Sequence, residues 1–428
     1  MPKALVIGNG LAGTIAATQL RKDGAEVILA SRSWGATAMS TGALDIAYSP
    51  ALSPTHSLPR TIAEHIMDIV AHRRRHPFGV MGVETTIRGI QQGADLLRAG
   101  LGGTGLPIPA LDLEAANGVY PSSLGVASFA GAVLDAHRGG ELSGLGGRRV
   151  GMLRFTGYPG FDGDRVAAGV DYDLKRLGLK PPKWIHLEVD PGIRAGSIPL
   201  ARSFDSDEGA GKLVEALEAF GESVECLVAP PLLGLERHAE LREAASKAVG
   251  APVVEALGHV PSVPGVRFQR ALIDMASRDG IESVKGVKDL SWEGNEVVGA
   301  NLEDGTTLEV DAVILATGRF VAGGVRWDHS IKENLLGLPV ISELGPMEVG
   351  SPHAVVRRRP EESHPLMTAG VQVNSRLQPM REGKVAFDNV FAAGMLIGGF
   401  ASRYALCADG VALSTGVVAA EEALRGLG

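Results

Sequence analysis

The apolar and polar positions of the first 31 residues predict a strand, a helix and a second strand. Ala4-Leu5-Val6-Ile7 is a fully apolar run with β-branched members, the pattern of a parallel strand buried on both faces. Thr14 to Lys22 carries Ile15, Ala16, Ala17 and Leu20 at helical spacing, and Asp23-Gly24 stops it. Ala25 to Leu29 is the next apolar run, which completes a βαβ unit. Residues 53–105 read as mostly helical and polar-faced, and the glycine-rich stretch 139–147 as a loop. Arg149 to Phe155 predicts a strand that runs into the turn-rich segment Thr156 to Asp162. Val224 to Ala229 predicts another, closed by Pro230-Pro231. Ile281 to Val284, Glu296 to Asn301 and Thr306 to Val310 predict three short strands. Asp304-Gly305 joins the last two as a hairpin. Ala312 to Leu315 is a buried strand, Asn389 to Gly394 a final strand-like unit, and a helix from 408 to 424 closes the chain.

At 428 residues the chain exceeds one simple core. The expected fold class is α/β. A Rossmann-like dinucleotide-binding domain, mainly parallel sheet with a β-meander, is expected over 1–75 and 271–428. A second α/β domain is expected as an insertion over 76–270.

The turn after the first strand reads Gly8-Asn9-Gly10-Leu11-Ala12-Gly13. Gly8 permits the tight turn, Gly10 lets backbone approach a phosphate, and Gly13 lets helix and strand pack closely. The following helix then offers free N–H groups, those of Leu11 and Ala12 among them, and a positive dipole end to an anion. Such a turn alone is a weak motif, but strand, turn, helix and strand in this order make a nucleotide site. Dinucleotide sites place Asp or Glu at the end of the second strand, on the adenosine ribose. Here that position reads Ala30-Ser31-Arg32. Two alternatives stay open: Ser31 hydrogen-bonds a ribose, or the cofactor lacks adenosine and Arg32 meets a terminal phosphate. Ala316-Thr317-Gly318 resembles the turn that brings backbone close to the cofactor in flavoproteins with two dinucleotide-binding domains. Asn389 to Gly394 resembles the C-terminal flavin-contact strand of that superfamily, which often carries an acid just after the glycine, where this chain has Met395.

Net charge of -8 argues against a generic nucleic-acid binder. The local runs Arg73-Arg74-Arg75-His76 and Arg357-Arg358-Arg359 read as solvated faces, with an anionic ligand as the alternative. Two distant cysteines, Cys226 and Cys407, imply no disulfide framework and fit a reducing cytoplasm. They also exclude an ordinary iron–sulfur cluster held by this chain alone, which takes four thiolates. No metal site is expected. No window offers about 20 uninterrupted apolar residues, so no direct membrane span is expected.

With these motifs in order, the chain resembles the B subunit family of anaerobic glycerol-3-phosphate dehydrogenase. The resemblance rests on the glycine turn, Met39-Ser40-Thr41-Gly42-Ala43-Leu44-Asp45 and Gly157 to Asp162. It extends through Pro230 to Leu235, Pro261 to Arg267, Thr317 to Gly324, Leu336 to Val340 and Gly394 to Phe400. It implies a non-covalent flavin, usually FMN in that family, whereas the fold implies FAD. It further implies a catalytic FAD subunit and an iron–sulfur membrane-anchoring subunit as partners, with electrons passing to the quinone pool. The place implied is cytoplasmic, at the inner face of the cell membrane through those partners.

In related folds the loop holding Ser40, Thr41 and Gly42 borders the isoalloxazine, where its hydroxyl and N–H groups tune the cofactor. Pro261 to Arg267 is expected to face the flavin. Arg267 is then a candidate clamp for a small anionic substrate and His259 a candidate general base. Arg319 and Arg403 are further candidates for an anion. The competing assignments are a packed or surface imidazole for His259 and ion pairs for the arginines. Two other functions compete with the relay-subunit reading: a stand-alone flavin dehydrogenase or oxidase of another small hydroxy or amino acid, and a catalytically silent subunit that keeps the fold.

Overall fold

The structure is a computed structural model that describes residues 1–49, 60–327, 330–347, 364–402 and 406–427, with 355, 357, 359 and 362 singly. The first apolar run forms the strand Lys3–Ile7 at the centre of a five-stranded parallel sheet. Its neighbours are Glu26–Ser31 on one side and Ala312–Leu315 on the other. Glu282–Lys285 and Val390–Ala392 form the two edges. The central strands are apolar at nearly every position because both faces are covered. The helix Leu11–Lys22 is buried along Leu11 to Leu20 and packs with Val83–Leu101 and the last helix, Ala408–Arg425. Val287–Glu293, Glu296–Leu302 and Thr307–Glu309 make the expected antiparallel meander. Its first strand went unread in the sequence because its apolar positions, Val287 and Leu290, are too sparse to mark period 2. Gly305 turns the hairpin with φ +89°, the left-handed backbone such turns favour.

The inserted domain has its own parallel sheet, in the order Val253–Glu255, Cys226–Ala229, Arg149–Phe155, Lys183–Val189. The helices Gly163–Arg176, Asp207–Glu218 and His238–Val249 bury their apolar sides in a second hydrophobic core drawn from residues 119–263. The expected boundary at residue 76 is therefore corrected. Phe78, Ile90, Leu97, Leu101 and Leu113 belong to the first core, because Gly89 and Gly93 let Val83–Leu101 lie against Ser414 and Leu413 of the last helix. The far boundary at 270 is corrected too. The helix Val263–Arg278 starts in the second core at Val263 and enters the first at Phe268.

Candidate functional site: a cleft at the ends of the parallel strands

The carboxyl ends of the central strands open onto a cleft of about 280 Å³, the place where open α/β sheets bind ligands. Gly8, Gly10, Leu11 and Ala12 form its inner wall. A Cβ on Gly8, which has φ +118°, would lie 2.3 Å from the Ala316 carbonyl oxygen. A Cβ on Gly13 would lie 1.7 Å from the Gly8 carbonyl oxygen. Gly13 thus does not line the cleft; it lets the helix sit against the turn. Gly10 caps the helix without a side chain, no acid stands in the first turn, and Arg21 and Lys22 stand in the last. The dipole is left to an anion at its N-terminus. Thr37 supplies a hydroxyl there: its Oγ1 accepts from Leu11 N–H at 3.1 Å. Spacing alone did not disclose this contact.

The second wall holds Ser40 and Thr41, with Gly42 just behind at φ +95°. A Cβ on Gly42 would run into His137 Nε2 at 2.0 Å. The expectation that Pro261 to Arg267 faces the cofactor is corrected. The segment backs the Ser40 loop instead, because Gly265 packs on the Ala38 and Ser40 backbone and Ser262 Oγ donates to the Ser40 carbonyl. Thr317, Gly318, Gly394 and Met395 close the cleft from the third and fourth strand ends. Thr317 Oγ1 is buried with no hydrogen-bond partner, a cost that a bound polar group would remove. A Cβ on Gly394 would lie 2.6 Å from Ala12 Cβ, so the turn keeps its width only with glycine.

At the outer end, Ser31 and Arg32 line the cleft. Ser31 Oγ donates to the Ser33 carbonyl at 3.0 Å. Arg32 pairs with Glu303 at 2.6 Å and donates to the Val287 carbonyl at 3.0 Å. A carboxylate does stand beside the end of the second strand, supplied by the meander and not by the strand itself. At the inner end, Asp45 and Asp409 both face the cleft, and neither was singled out from the sequence. The Asp45 N–H donates to Asp409 Oδ2 at 2.8 Å, and the Asp45 carbonyl accepts from Asp409 and Gly410 N–H at 3.1 and 3.0 Å.

The cleft does not gather the residues expected to carry catalysis. Arg267 and Glu255 form an ion pair whose side chains are 2% and 1% exposed, with contacts of 2.6 and 3.0 Å; Arg267 Nε also donates to the Gly234 carbonyl at 2.8 Å. Burial alone would raise the Glu255 carboxyl, but the Arg267 charge and hydrogen bonds hold it below its ordinary value. As a clamp for an external anion Arg267 is corrected: its guanidinium is occupied. Arg319 is corrected likewise. It is buried outside the cleft lining, donates to the carbonyls of Met367, Ile397 and Phe400, and lies 4.7 Å from the Phe400 ring centroid. Burial lowers its guanidinium to about 10. His259 is half-buried outside the cleft, its Nδ1 2.8 Å from Ser123 Oγ. Arg403 lies outside the described residues, as does Arg358. Arg73 and Arg75 engage Glu343. Among the described residues no cluster of His, Cys, Asp and Glu is arranged to hold a metal, and no helix is long and apolar enough to cross a membrane.

The model of the FAD binding domain matches residues 3–173 and 200–411. Among curated proteins, the B subunit of anaerobic glycerol-3-phosphate dehydrogenase from Yersinia enterocolitica is 25% identical, over 98% of this chain and 97% of its own. The protein of that name from Glaesserella parasuis is 21% identical over 98% of both. Among solved structures, glycine oxidase from Bacillus cereus covers 99% of this chain at 13% identity and a TM-score of 0.34. A 3-ketosteroid dehydrogenase from Rhodococcus jostii RHA1 covers 98% at 13% and 0.32.

Proposed function

The chain belongs to the FAD-binding domain family, and from that premise we propose that this flavin-dependent oxidoreductase holds FAD non-covalently and passes electrons as one subunit of a larger dehydrogenase. The observation that carries the cofactor is the cleft in which Gly10 to Ala12, Ser40-Thr41, Thr317-Gly318 and Gly394-Met395 converge. The N–H groups of Leu11 and Ala12 hold the pyrophosphate, displacing the Thr37 hydroxyl. Thr317 Oγ1 and the Ser40 loop orient the ring, while Leu11, Ala12 and Met395 exclude water from its edge. When bound, the isoalloxazine accepts a hydride and releases single electrons.

Family likeness along nearly the whole chain supports a place beside a catalytic FAD subunit and an iron–sulfur subunit, with glycerol 3-phosphate as the reductant. The site supports a relay in preference to direct oxidation of a small anion. Of the cationic side chains expected to clamp such an anion, Arg267 and Arg319 are engaged elsewhere, and Arg403 lies outside the described residues. The complex then sits on the cytoplasmic face of the membrane through its partners. The test is bleaching of the flavin absorbance by glycerol 3-phosphate. The proposal expects none with the isolated chain and full bleaching when the partner chains are present. Bleaching of the isolated chain would make it a stand-alone dehydrogenase, and a colourless chain a silent subunit.

A further inference from the structure

Asp45 and Asp409, 364 residues apart in sequence, come together at the inner end of the cleft, where the Asp45 N–H donates to Asp409 Oδ2 at 2.8 Å. The last helix begins at Ala408, and its second residue, Asp409, would be exposed in an isolated helix. Here Gly410 packs against the Ile46 carbonyl, with a hypothetical Cβ only 2.1 Å away. That close approach brings the helix start onto the Asp45 backbone and produces the reciprocal bonds between Asp45 and Asp409. Both side chains line the cleft beside Ala43, Ala408 and Ala412. Among the described residues no cation acts on either carboxyl: burial acts on both, and on Asp409 also the Asp45 charge and its backbone N–H. Two like charges in so small an apolar space repel, and burial disfavours each charge alone. Such a pair titrates as a unit.

We propose that Asp45 and Asp409 form a one-proton carboxylate pair in the cleft wall, which takes up a proton from solvent when the bound cofactor gains two electrons. The inference rests on the flavin reading given above. The balance is simple. An external donor delivers a hydride, two electrons with one proton, so the bound cofactor gains one net negative charge. One O–H bond of a hydronium ion breaks and one forms on a carboxylate oxygen of the pair, so one added negative charge in the cleft is offset.

The surroundings agree with this assignment. Burial pushes Asp45 up to about 6, and burial together with the Asp45 charge pushes Asp409 up to about 8. Cys407 interacts electrostatically with both carboxylates, and His76, Arg319 and Arg73 stand around Cys407. Burial keeps the Cys407 thiol protonated, and it lies 3.3 Å from His76 Nε2. Burial, with the charges of Arg73 and Arg319, lowers His76 to about 3, so it stays neutral. Arg319 donates to three carbonyls and Arg73 to Glu343. None of these four groups changes charge near neutral pH; Glu333, also in the cleft lining, is raised by burial and accepts from the Leu335 and Leu336 N–H groups, and the Asp409→Asn comparison separates its titration from that of the pair.

The experiment uses the full chain loaded with its flavin. The midpoint potential is measured by spectroelectrochemistry from pH 5.5 to 8.5, alongside the reduced-minus-oxidised infrared spectrum. The expected result is a slope steeper in the native chain than in Asp409→Asn by about 30 mV per pH unit, the tenfold change per pH unit of one proton on a two-electron couple. A protonated-carboxyl band should also appear on reduction in the native chain and vanish in the variant. The amide keeps an oxygen for the Asp45 N–H; should it nevertheless misfold, Asp45→Asn is the second variant. Equal slopes and unchanged infrared spectra would overturn the inference while leaving the flavin reading intact. A chain that binds no flavin would remove both.

Discussion

Replacing Arg267 by alanine separates a structural role from a catalytic one. Arg267 joins the two cores: its helix starts in the inserted core at Val263 and continues into the first at Phe268. Its guanidinium satisfies both Glu255 oxygens and the Gly234 carbonyl. Truncation leaves Glu255 buried, with the Leu233 N–H at 2.6 Å as its remaining close donor. Breaking a buried pair in this way costs about 3–5 kcal/mol, a large share of the roughly 5–15 kcal/mol that holds a domain together. With a urea dependence of about 2 kcal/mol per molar, the midpoint falls by about 2 M. The assay is urea denaturation followed by tryptophan fluorescence, to which Trp184 contributes from the inserted domain. Trp184 sits in the inserted sheet and donates to Asp171 at 2.7 Å. Changing both partners to apolar residues, Arg267→Met with Glu255→Leu, should restore most of the loss, since no charge is then stranded. An Arg267→Ala chain that keeps its native midpoint but loses flavin reduction would refute this account and return Arg267 to the chemistry.

Other outcomes follow from the same geometry. Gly13→Ala should abolish flavin retention and lower stability by several kcal/mol, as overpacking against the Gly8 carbonyl forces the backbone apart; flavin absorbance per chain after gel filtration checks it. Arg32→Ala should change stability by at most about 1 kcal/mol, since its pair with Glu303 is solvent-accessible, and should weaken FAD binding less than tenfold by fluorescence titration. Asp409→Asn should alter the pH dependence of apo-chain stability. The pair's raised values favour folding fully below the ordinary carboxyl range near 3.8, and that contribution is lost as pH rises through about 6 and about 8. The variant should therefore gain relative to the native chain between pH 5 and pH 9, by thermal melts at each pH; a constant difference would count against the pair.

What could be read from the sequence was local. The first strand, the glycine turn, the hairpin at Gly305 and the last helix all carry their period or turn residue within a few positions. The boundary of the inserted domain was not legible, because an amphipathic helix such as Val83–Leu101 announces a buried face but not the core that receives it. Asp45 and Asp409 were invisible for the same reason, since only the tertiary approach of Gly410 to Ile46 pairs them. Arg267 did carry a warning. It shares a helical stripe with Val263, Ala271 and Met275, all buried, and an arginine on an apolar stripe calls for a buried acid. Glu255 answers it from a strand twelve residues earlier.

The central claim is that the cleft between Gly8 and Met395 holds an adenine-containing flavin. Denaturing the purified chain and identifying the released chromophore by mass tests this most directly. One FAD per chain is the predicted result, with none released from Gly13→Ala. FMN in its place, or a chain that purifies from flavin-replete cells and binds neither flavin on addition, would contradict it.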